Sequence, residues 1–264
     1  MHRHNLPSCL AFFILIALGV AAAPAMAGPR VLVLWDVQGP QTDALANTLR
    51  AAQMDVVLSD THEAGYTGAN PPLTGFDVVV HLNGATWTQE MPITGQQALV
   101  RFVEEGGGFI GHEWNAYQLS VGQMKSMRDL ILFDRDSGYS GPITITRLPA
   151  QERHPVVWEI PPTFAMTGSS NIGHIHRFER YPALVLARDQ SGNDAIAVRE
   201  FALGRIVGFH HGGNWPGTAE KVLDNADARR LFVDAVLWAH GCTSFYRKGE
   251  RAAVCDRIEA SRKR

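Results

Sequence analysis

GGGFIGHEWNAY, residues 106–117, joins a short apolar run to a polar cluster directly behind it. Three glycines precede the apolar residues, and the cluster consists of His112, Glu113, Trp114 and Asn115. This order predicts a strand that ends in a strand-to-helix elbow, where glycines permit unusual backbone angles and close packing. We expect His112 and Glu113 to act there as catalytic acid/base groups or as ligand groups. The alternative is that Glu113 caps the following segment and His112 is merely hydrogen-bonded.

Strand and helix patterns alternate on both sides of this elbow in the first half of the chain. Apolar runs predict strands buried on both faces, and apolar residues at helical spacing predict helices between them. The alternation is typical of an α/β fold of the doubly wound, flavodoxin-like kind, with a mostly parallel sheet flanked by helices. The predicted strands are residues 30–36, 54–60, 76–84 and 108–112, and the predicted helices are residues 41–53 and 95–107.

The second half predicts a β-meander and a terminal helix. Residues 183–188 and 195–201 are apolar runs joined by a polar turn, which indicates a hairpin. Residues 204–213 begin as the third strand of that meander. Outside the meander, we predict a strand at residues 143–147 and a helix at residues 225–241.

Polar and aromatic residues at the predicted strand ends are candidates for a binding site, because sheets of this kind bind ligands outside the carboxyl ends of their strands. Asp36 follows the first strand and could bind a substrate hydroxyl or cap a helix. Tryptophan offers an apolar platform of the kind that stacks on sugar faces. The predicted substrate-binding residues are Trp35, Asp36, Asn83, Trp114, Asn115 and Trp215.

Two adjacent histidines, His210 and His211, end a predicted strand within HHGGNW, residues 210–215. Adjacent side chains on a strand point to opposite faces, so only one of the two would face the pocket. We predict a catalytic role for the histidine that does so. The alternative is a glycine-rich turn with solvent-exposed histidines.

His174 and His176 are weak candidates for a metal site. They stand two residues apart, so on an extended segment they share a face and could supply two ligands. A divalent metal is therefore possible, although no cofactor is predicted. The sequence has no GxGxxG motif after its first strand, which argues against a dinucleotide site.

The first 27 residues have the layout of a secretory signal peptide. A positively charged start precedes an apolar run, and Ala25-Met26-Ala27 forms a small-x-small cleavage pattern. We therefore predict cleavage after residues 1–27 and export of a single domain, residues 28–264, to the periplasm or the medium. An uncleaved membrane anchor is the alternative.

Two cysteines remain beyond the signal peptide, Cys242 and Cys255. An oxidising compartment favours a disulfide between them, which would pin the C-terminal tail, residues 242–264. Two unpaired thiols are the alternative. The formal net charge of −2 gives no electrostatic footprint for nucleic acid or for an anionic membrane, so neither is a predicted partner.

The chain resembles the ThuA-like family, the trehalose-utilisation proteins with a class I glutamine amidotransferase-like fold. The resemblance covers nearly all of residues 30–241 and implies a link to the catabolism of sugars, chiefly disaccharides and their oxidised forms. The stretches that carry it are RVLVLWD from residue 30, FDVVVHLNG from residue 76, LVRFVEEGGGFIGHE from residue 99, HPVV from residue 154 and GRIVGFHHG from residue 204.

Two departures separate this chain from the amidotransferases that the resemblance brings with it. Their fold places a nucleophilic cysteine on the elbow and a Phe-His-Pro-Glu motif after a late strand. Here the elbow presents His112 and Glu113, and the histidine of the late motif matches His210 but Pro-Glu is missing. Without a thiolate there is no acyl-enzyme route, so glutamine hydrolysis is not expected.

Three functions compete at this point. The first is an exported protein that acts on or binds a sugar or oxidised sugar, with His112, Glu113 and either His210 or His211 as acid/base groups. The second is a non-catalytic carbohydrate- or protein-binding module on the same fold. The third is a metal-dependent hydrolase that uses the same side chains as ligands. The small-molecule partner in the first case is a carbohydrate, and the oligomeric state is left open.

Overall fold

The computed structural model describes residues 28–217 and 221–241, which form a nine-stranded sheet between two layers of helices. The predicted signal peptide and the predicted Cys242–Cys255 disulfide lie outside the described residues. The strands are β1 Arg30–Trp35, β2 Asp55–Leu58, β3 Val78–Leu82, β4 Gly108–Gly111, β5 Ser137–Arg147, β6 Thr163–Ile172, β7 Leu184–Asp189, β8 Asp194–Phe201 and β9 Gly204–Phe209. The helices are α1 Pro40–Ala51, α2 Ile93–Glu104, α3 Glu113–Ser120 and α4 Ala226–Ala239.

The sheet order is β2-β1-β3-β4-β9-β8-β7-β5-β6, and the pairs from β2 to β9 are parallel, as predicted for the first half. Apolar side chains leave these strands on both faces because helices cover both. Val31 and Val33 pack in the core of α1 and α4, whereas Leu32 and Leu34 pack in the core of α2 and α3. No helix within the described ranges is both long and apolar enough to cross a membrane.

The prediction of a mostly parallel sheet is wrong for the second half of the chain, where β9, β8, β7, β5 and β6 pair antiparallel. The cause is the length of the connections. Residues 190–193 join β7 to β8 and residues 202–203 join β8 to β9. Such short connections can join only antiparallel strands. The predicted meander of β7, β8 and β9 is confirmed, and the whole is an α/β fold with a mixed sheet.

The antiparallel half of the sheet curls back toward its centre. β6 is the last strand in the sheet order, yet Ser170 on β6 pairs with His211 directly after β9. In addition, Asn171 N donates to the carbonyl oxygen of His210 at 2.6 Å. Sequence patterns predict no strand at residues 163–172, but β6 brings a run of buried polar side chains to the carboxyl end of β9.

The elbow after β4 differs from the prediction in its backbone conformation. His112 has φ −125° and ψ 179°, which is ordinary extended backbone rather than a strained turn, and α3 begins at the next residue. The glycines allow close packing instead. A Cβ on Gly111 would lie 2.7 Å from Asn115 Oδ1, and a Cβ on Gly108 would lie 2.7 Å from the Cβ of Ala239.

Candidate functional site

The carboxyl ends of β4 and β9 and the middle of β6 meet at one place, and polar side chains converge there. Gly212, after β9, is the centre: its N–H donates to the carbonyl oxygen of Ser169 at 2.8 Å. A Cβ built on Gly212 would lie 2.5 Å from Ser169 Oγ, 2.8 Å from Glu113 Oε2 and 3.1 Å from Trp114 Nε1. We call Glu113, Trp114, Ser169 and Gly212 the Gly212 cluster.

The polar atoms of the Gly212 cluster are buried and lack partners. Glu113 Oε2, Trp114 Nε1 and Ser169 Oγ each make no hydrogen bond to any residue that the structure describes. Leaving a buried polar group unsatisfied costs about 1–3 kcal/mol, so native structures do this rarely. Several such atoms around one glycine indicate a place that serves a polar ligand.

Arg135 completes this site, although no motif in the sequence marks it. Its Nη1 donates to Glu113 Oε1 at 2.9 Å and to Asn171 Oδ1 at 2.7 Å. Its guanidinium also lies over the rings of Trp114 and Tyr117, at 5.6 and 5.1 Å from their centroids. Arg135 therefore holds one oxygen of Glu113 and leaves Oε2 directed at Gly212.

Burial governs the protonation of Glu113. Loss of hydration raises the pKa of Glu113, and the nearby Ser169 hydroxyl and Arg135 guanidinium only partly oppose that rise. A carboxyl group with a raised pKa is suited to hold and deliver a proton near neutral pH. The alternative that Glu113 merely caps α3 does not fit, because its carboxylate contacts Arg135 instead.

His112 and His211 lie on the same face of the sheet, against an aromatic wall. The His112 ring stacks on Phe232 at 5.1 Å, and the His211 ring stacks on Phe209 at 5.1 Å. Burial lowers the pKa of His112 to about 3, with a smaller contribution from His81. Burial also lowers the pKa of His211 well below its usual value. Both rings are therefore neutral at physiological pH and available as proton acceptors.

The two adjacent histidines face opposite sides, as predicted, and the structure distinguishes them. His210 Nε2 lies 3.5 Å from Asp189 Oδ2 at the turn between β7 and β8, and its ring is perpendicular to that of His211. His211 is the one that shares a face with His112. Both histidines are fully buried, so the alternative of solvent-exposed histidines on a glycine-rich turn is wrong.

Aromatic side chains cover the Gly212 cluster on its outer side. The Trp114 ring packs on Trp215 at 4.6 Å and on Tyr117 at 5.1 Å, and Trp87 contacts the same group. Gly84, with φ +140°, makes room for this packing, because a Cβ there would lie 2.8 Å from Trp114 Cδ1. Trp114 and Trp215, both predicted as stacking platforms, are brought together by the fold.

Three predicted substrate-binding residues make contacts within the protein instead. Trp35 donates from Nε1 to the carbonyl oxygen of Ser59, on the side of β2. Asp36 accepts hydrogen bonds from the loop after β3 and caps no helix. Asn83 donates to Gln118 Oε1 at 2.8 Å, although its own Oδ1 has no partner among the described residues. None of the three belongs to the Gly212 cluster.

The weak metal candidates are not brought together with a third ligand. His174 Nδ1 lies 3.3 Å from Asp194, and His176 Nδ1 lies 2.9 Å from Asp134, so the two rings contact different aspartates. Within residues 28–217 and 221–241, no group of three or more His, Cys, Asp or Glu side chains is arranged to hold a metal ion.

Two open clefts in the structure lie away from this site. One, of about 700 Å³, is at the amino ends of β3, β4 and β9, beside Phe102 and Leu203. The other, of about 600 Å³, is beside Trp238 and Arg205. Neither is lined by a residue of the Gly212 cluster, where Glu113 is only 1% exposed. A ligand therefore reaches Glu113 only if covering side chains move.

Comparison with known proteins finds likeness in structure but not in sequence. No protein-family model matches the chain, and no curated protein matches it. A ThuA-like protein from Parabacteroides merdae superposes with a TM-score of 0.61 at 11% identity, over 83% of this chain and 92% of that one. A ThuA-like protein from Bacteroides uniformis gives a TM-score of 0.58 at 15% identity, over 84% and 95%.

A GMP synthase protein from Thermoplasma acidophilum also superposes, with a TM-score of 0.53 at 10% identity, over 90% of this chain and 99% of that one. Identities this low establish the fold alone. They agree with the amidotransferase-like architecture that the sequence resemblance implied. The described chain has the α/β fold of the ThuA-like proteins.

Proposed function

We propose that the Gly212 cluster binds a sugar or an oxidised sugar. The observation that carries this proposal is the set of buried, unpartnered polar atoms around Gly212: Glu113 Oε2, Trp114 Nε1 and Ser169 Oγ. Sugar hydroxyl groups both donate and accept hydrogen bonds, so one ligand can satisfy an acceptor and two donors at once. The resemblance to trehalose-utilisation proteins supports the same class of ligand.

The proposed chemistry is proton transfer between the ligand and two groups with opposite pKa shifts. Burial raises the pKa of Glu113 and lowers the pKa of His211, which favours a carboxylic acid and a neutral imidazole at pH 7. Such a pair can deliver one proton and accept another, as removal of a proton next to the carbonyl of a keto-sugar requires. His112, neutral on the same face, is the second candidate base.

Binding requires movement at the aromatic cover. Trp215 is half-buried on top of Trp114, and Arg135 lies beside them with 12% of its side chain exposed. Displacing Trp215 would open the Gly212 cluster and leave its ring free to stack on the sugar. Arg135 would then lie at the edge of the opening and hold Glu113 in place.

The test is thermal unfolding against aldoses, keto-sugars, sugar acids and disaccharides. At 100 times the Kd, a ligand stabilises the folded state by about 2.7 kcal/mol, which raises the midpoint by roughly 5–10 °C in a chain of this size. We expect one class to do so, and Glu113→Gln and His211→Ala to reduce the shift. His174→Ala, far from the cluster, is the control and should keep it.

The outcomes separate the candidate functions. A shift that both cluster variants retain would contradict the proposed site. A shift without conversion of the ligand, followed by NMR of the sugar, would indicate the non-catalytic binding module. A shift caused by zinc or manganese and lost in His211→Ala would indicate the metal-dependent hydrolase, which has no ligand arrangement in its favour among the described residues.

We also propose that the protein acts outside the cytoplasm. The support is the signal-peptide layout of residues 1–27 and the pair Cys242 and Cys255, which an oxidising compartment would join. Intact mass of the protein from the periplasm is the measurement. Loss of the first 27 residues and of two further hydrogens is expected, whereas a full-length, reduced chain would contradict both points.

A further inference from the structure

We propose that Glu63, His81 and Asn115 form a buried relay that fixes the turn between β4 and α3 and thereby directs Glu113 at Gly212. The proposal rests on the proposed function of the Gly212 cluster. Glu63 lies in the loop between β2 and β3, His81 lies in β3 and Asn115 lies in the first turn of α3. No sequence motif marks the first two.

The three side chains form one continuous chain of hydrogen bonds. The backbone N–H of His112 donates to Asn115 Oδ1 at 3.0 Å. Asn115 Nδ2 lies 2.8 Å from His81 Nδ1, and His81 Nε2 contacts Glu63 Oε2. Glu63, His81 and Asn115 are each no more than 1% exposed, so water does not compete for these bonds.

The direction of every proton in the relay follows from its first bond. A backbone N–H can only donate, so the Asn115 atom facing His112 is the carbonyl oxygen and the atom facing His81 is the NH₂ group. That group also only donates, so His81 Nδ1 must accept. The imidazole proton is therefore on Nε2 and is donated to Glu63. All three bonds point from the turn toward the carboxylate.

A structural role alone explains this arrangement poorly. Burial raises the pKa of Glu63, and His81 opposes that rise, which shows the cost of placing an acid there. A buried ionic pair is often no more stabilising than apolar side chains of the same volume. What it provides is geometry, because a negative charge at the end of aligned hydrogen bonds strengthens each of them and fixes one orientation.

The end of the relay is the residue that precedes Glu113. Holding the N–H of His112 fixes the direction in which β4 enters α3, and hence the direction of the Glu113 and Trp114 side chains. Both ends of the Asn115 amide are engaged in this task. Asn115, predicted to bind substrate, is thus a positioning residue, together with Glu63 and His81.

The experiment measures the turn without any ligand and then with one. Hydrogen exchange of residues 109–117 is compared in the wild type, Glu63→Leu, Glu63→Gln and Asn115→Leu. Glu63→Gln keeps an oxygen acceptor and removes the charge. Asp234→Asn is the matched control, because it neutralises a buried acid that pairs with Arg230 on α4.

We expect exchange in residues 112–117 to be at least tenfold faster in Glu63→Leu and Asn115→Leu, with a smaller increase in Glu63→Gln and none specific to this segment in Asp234→Asn. Histidine ¹⁵N NMR of the wild type should show His81 protonated on Nε2 and bare on Nδ1. A proton on Nδ1, or unchanged exchange in a folded Glu63→Leu, overturns the relay. If Glu63→Leu does not fold, Glu63→Gln decides by the same measurements.

Sugar binding separates this proposal from the function it rests on. If the wild type shows a sugar-induced shift, Glu63→Gln and Asn115→Leu should each lose more than half of it, and the double variant should lose no more than Asn115→Leu. A full shift in variants whose turn has loosened overturns the directing role. If the wild type shows no shift, the proposed function fails, and the exchange and NMR results alone support or overturn the relay.

Discussion

Two groups of buried polar side chains occupy the same edge of the sheet and differ in how completely they are hydrogen-bonded. Asp36, at the end of β1, has donors on both carboxylate oxygens. Glu113, after β4, has one oxygen held by Arg135 and one without a partner among the described residues. The donors to Asp36 are the N–H groups of Val37, Ala85 and Thr86 and the side chain of Asn214.

This difference separates a structural acid from a functional one. Both carboxylates follow strands of the parallel half, both are almost fully buried, and both are predicted from the sequence as site residues. Complete hydrogen bonding is what stability requires of a buried acid. Incomplete hydrogen bonding costs stability and is retained where a ligand uses the free atom. Position at a strand end does not separate the two roles, whereas the remaining bonding capacity does.

The comparison breaks most clearly if Asp36 can be removed without cost. Asp36→Ala leaves several buried donors unsatisfied at once, and we expect the free energy of unfolding to fall by about 3 kcal/mol or more. Urea denaturation is the measurement. Asp60→Ala, at an exposed position near the next strand, is the control and should change stability by no more than about 0.5 kcal/mol. Equal effects would show that Asp36 is not structural.

Acid should weaken the open group through its neutral histidines. Burial lowers the pKa of His112 to about 3, so between about pH 6.5 and 3 the unfolded chain binds a proton that the folded chain does not. The stability that neutral His112 contributes is full above about pH 6.5 and is lost as pH falls, at up to about 1.4 kcal/mol per unit.

His112→Gln isolates this effect. Between pH 7 and pH 5 the free energy of unfolding should fall by about 2 kcal/mol less in the variant than in the wild type. The raised pKa values of Glu63 and Glu113 act in the opposite direction, since both acids favour the folded state as pH falls, but they are present in both proteins and cancel. Parallel pH curves in urea denaturation would show that His112 is not buried as a neutral base.

The parallel half and the elbow could be predicted because their signals are local. Unbroken apolar runs such as that of β3 mark strands buried on both faces, and the polar residues behind them mark the strand ends. Short connections also marked the meander. The number of antiparallel strands could not be predicted, because β5 and β6 contain glycine, proline and serine and have little apolar alternation.

The composition of the site was only half predictable. Glu113 and Trp114 stand in one motif, but Arg135 and Ser169 reach them only because β6 curls back to the end of β9. No local pattern encodes that pairing. One signal was available for the relay: a histidine inside the apolar run of β3 must have a buried polar partner. That principle pointed to His81, although not to Glu63.

Filling the open group should cost less stability than emptying the closed one, but should abolish binding. In Gly212→Ala the new Cβ would meet Ser169 Oγ at 2.5 Å and Glu113 Oε2 at 2.8 Å, so those side chains must move. We expect a loss of about 1–2 kcal/mol and no sugar-induced shift. Gly39→Ala is the control, because its Cβ meets nothing within 4 Å. A retained shift in Gly212→Ala would place the ligand elsewhere.

The smallest effects should come from the two histidines that contact separate aspartates. His174 has 64% of its side chain exposed, and an ion pair at such a position contributes little because water screens it and the side chains lose freedom. His174→Ala should therefore change the free energy of unfolding by no more than about 0.5 kcal/mol. Thermal unfolding with zinc sharpens the comparison: if zinc stabilises the wild type and His174→Ala or His176→Ala removes that stabilisation, Asp194 and Asp134 belong to a ligand site and incomplete bonding no longer marks function in this molecule.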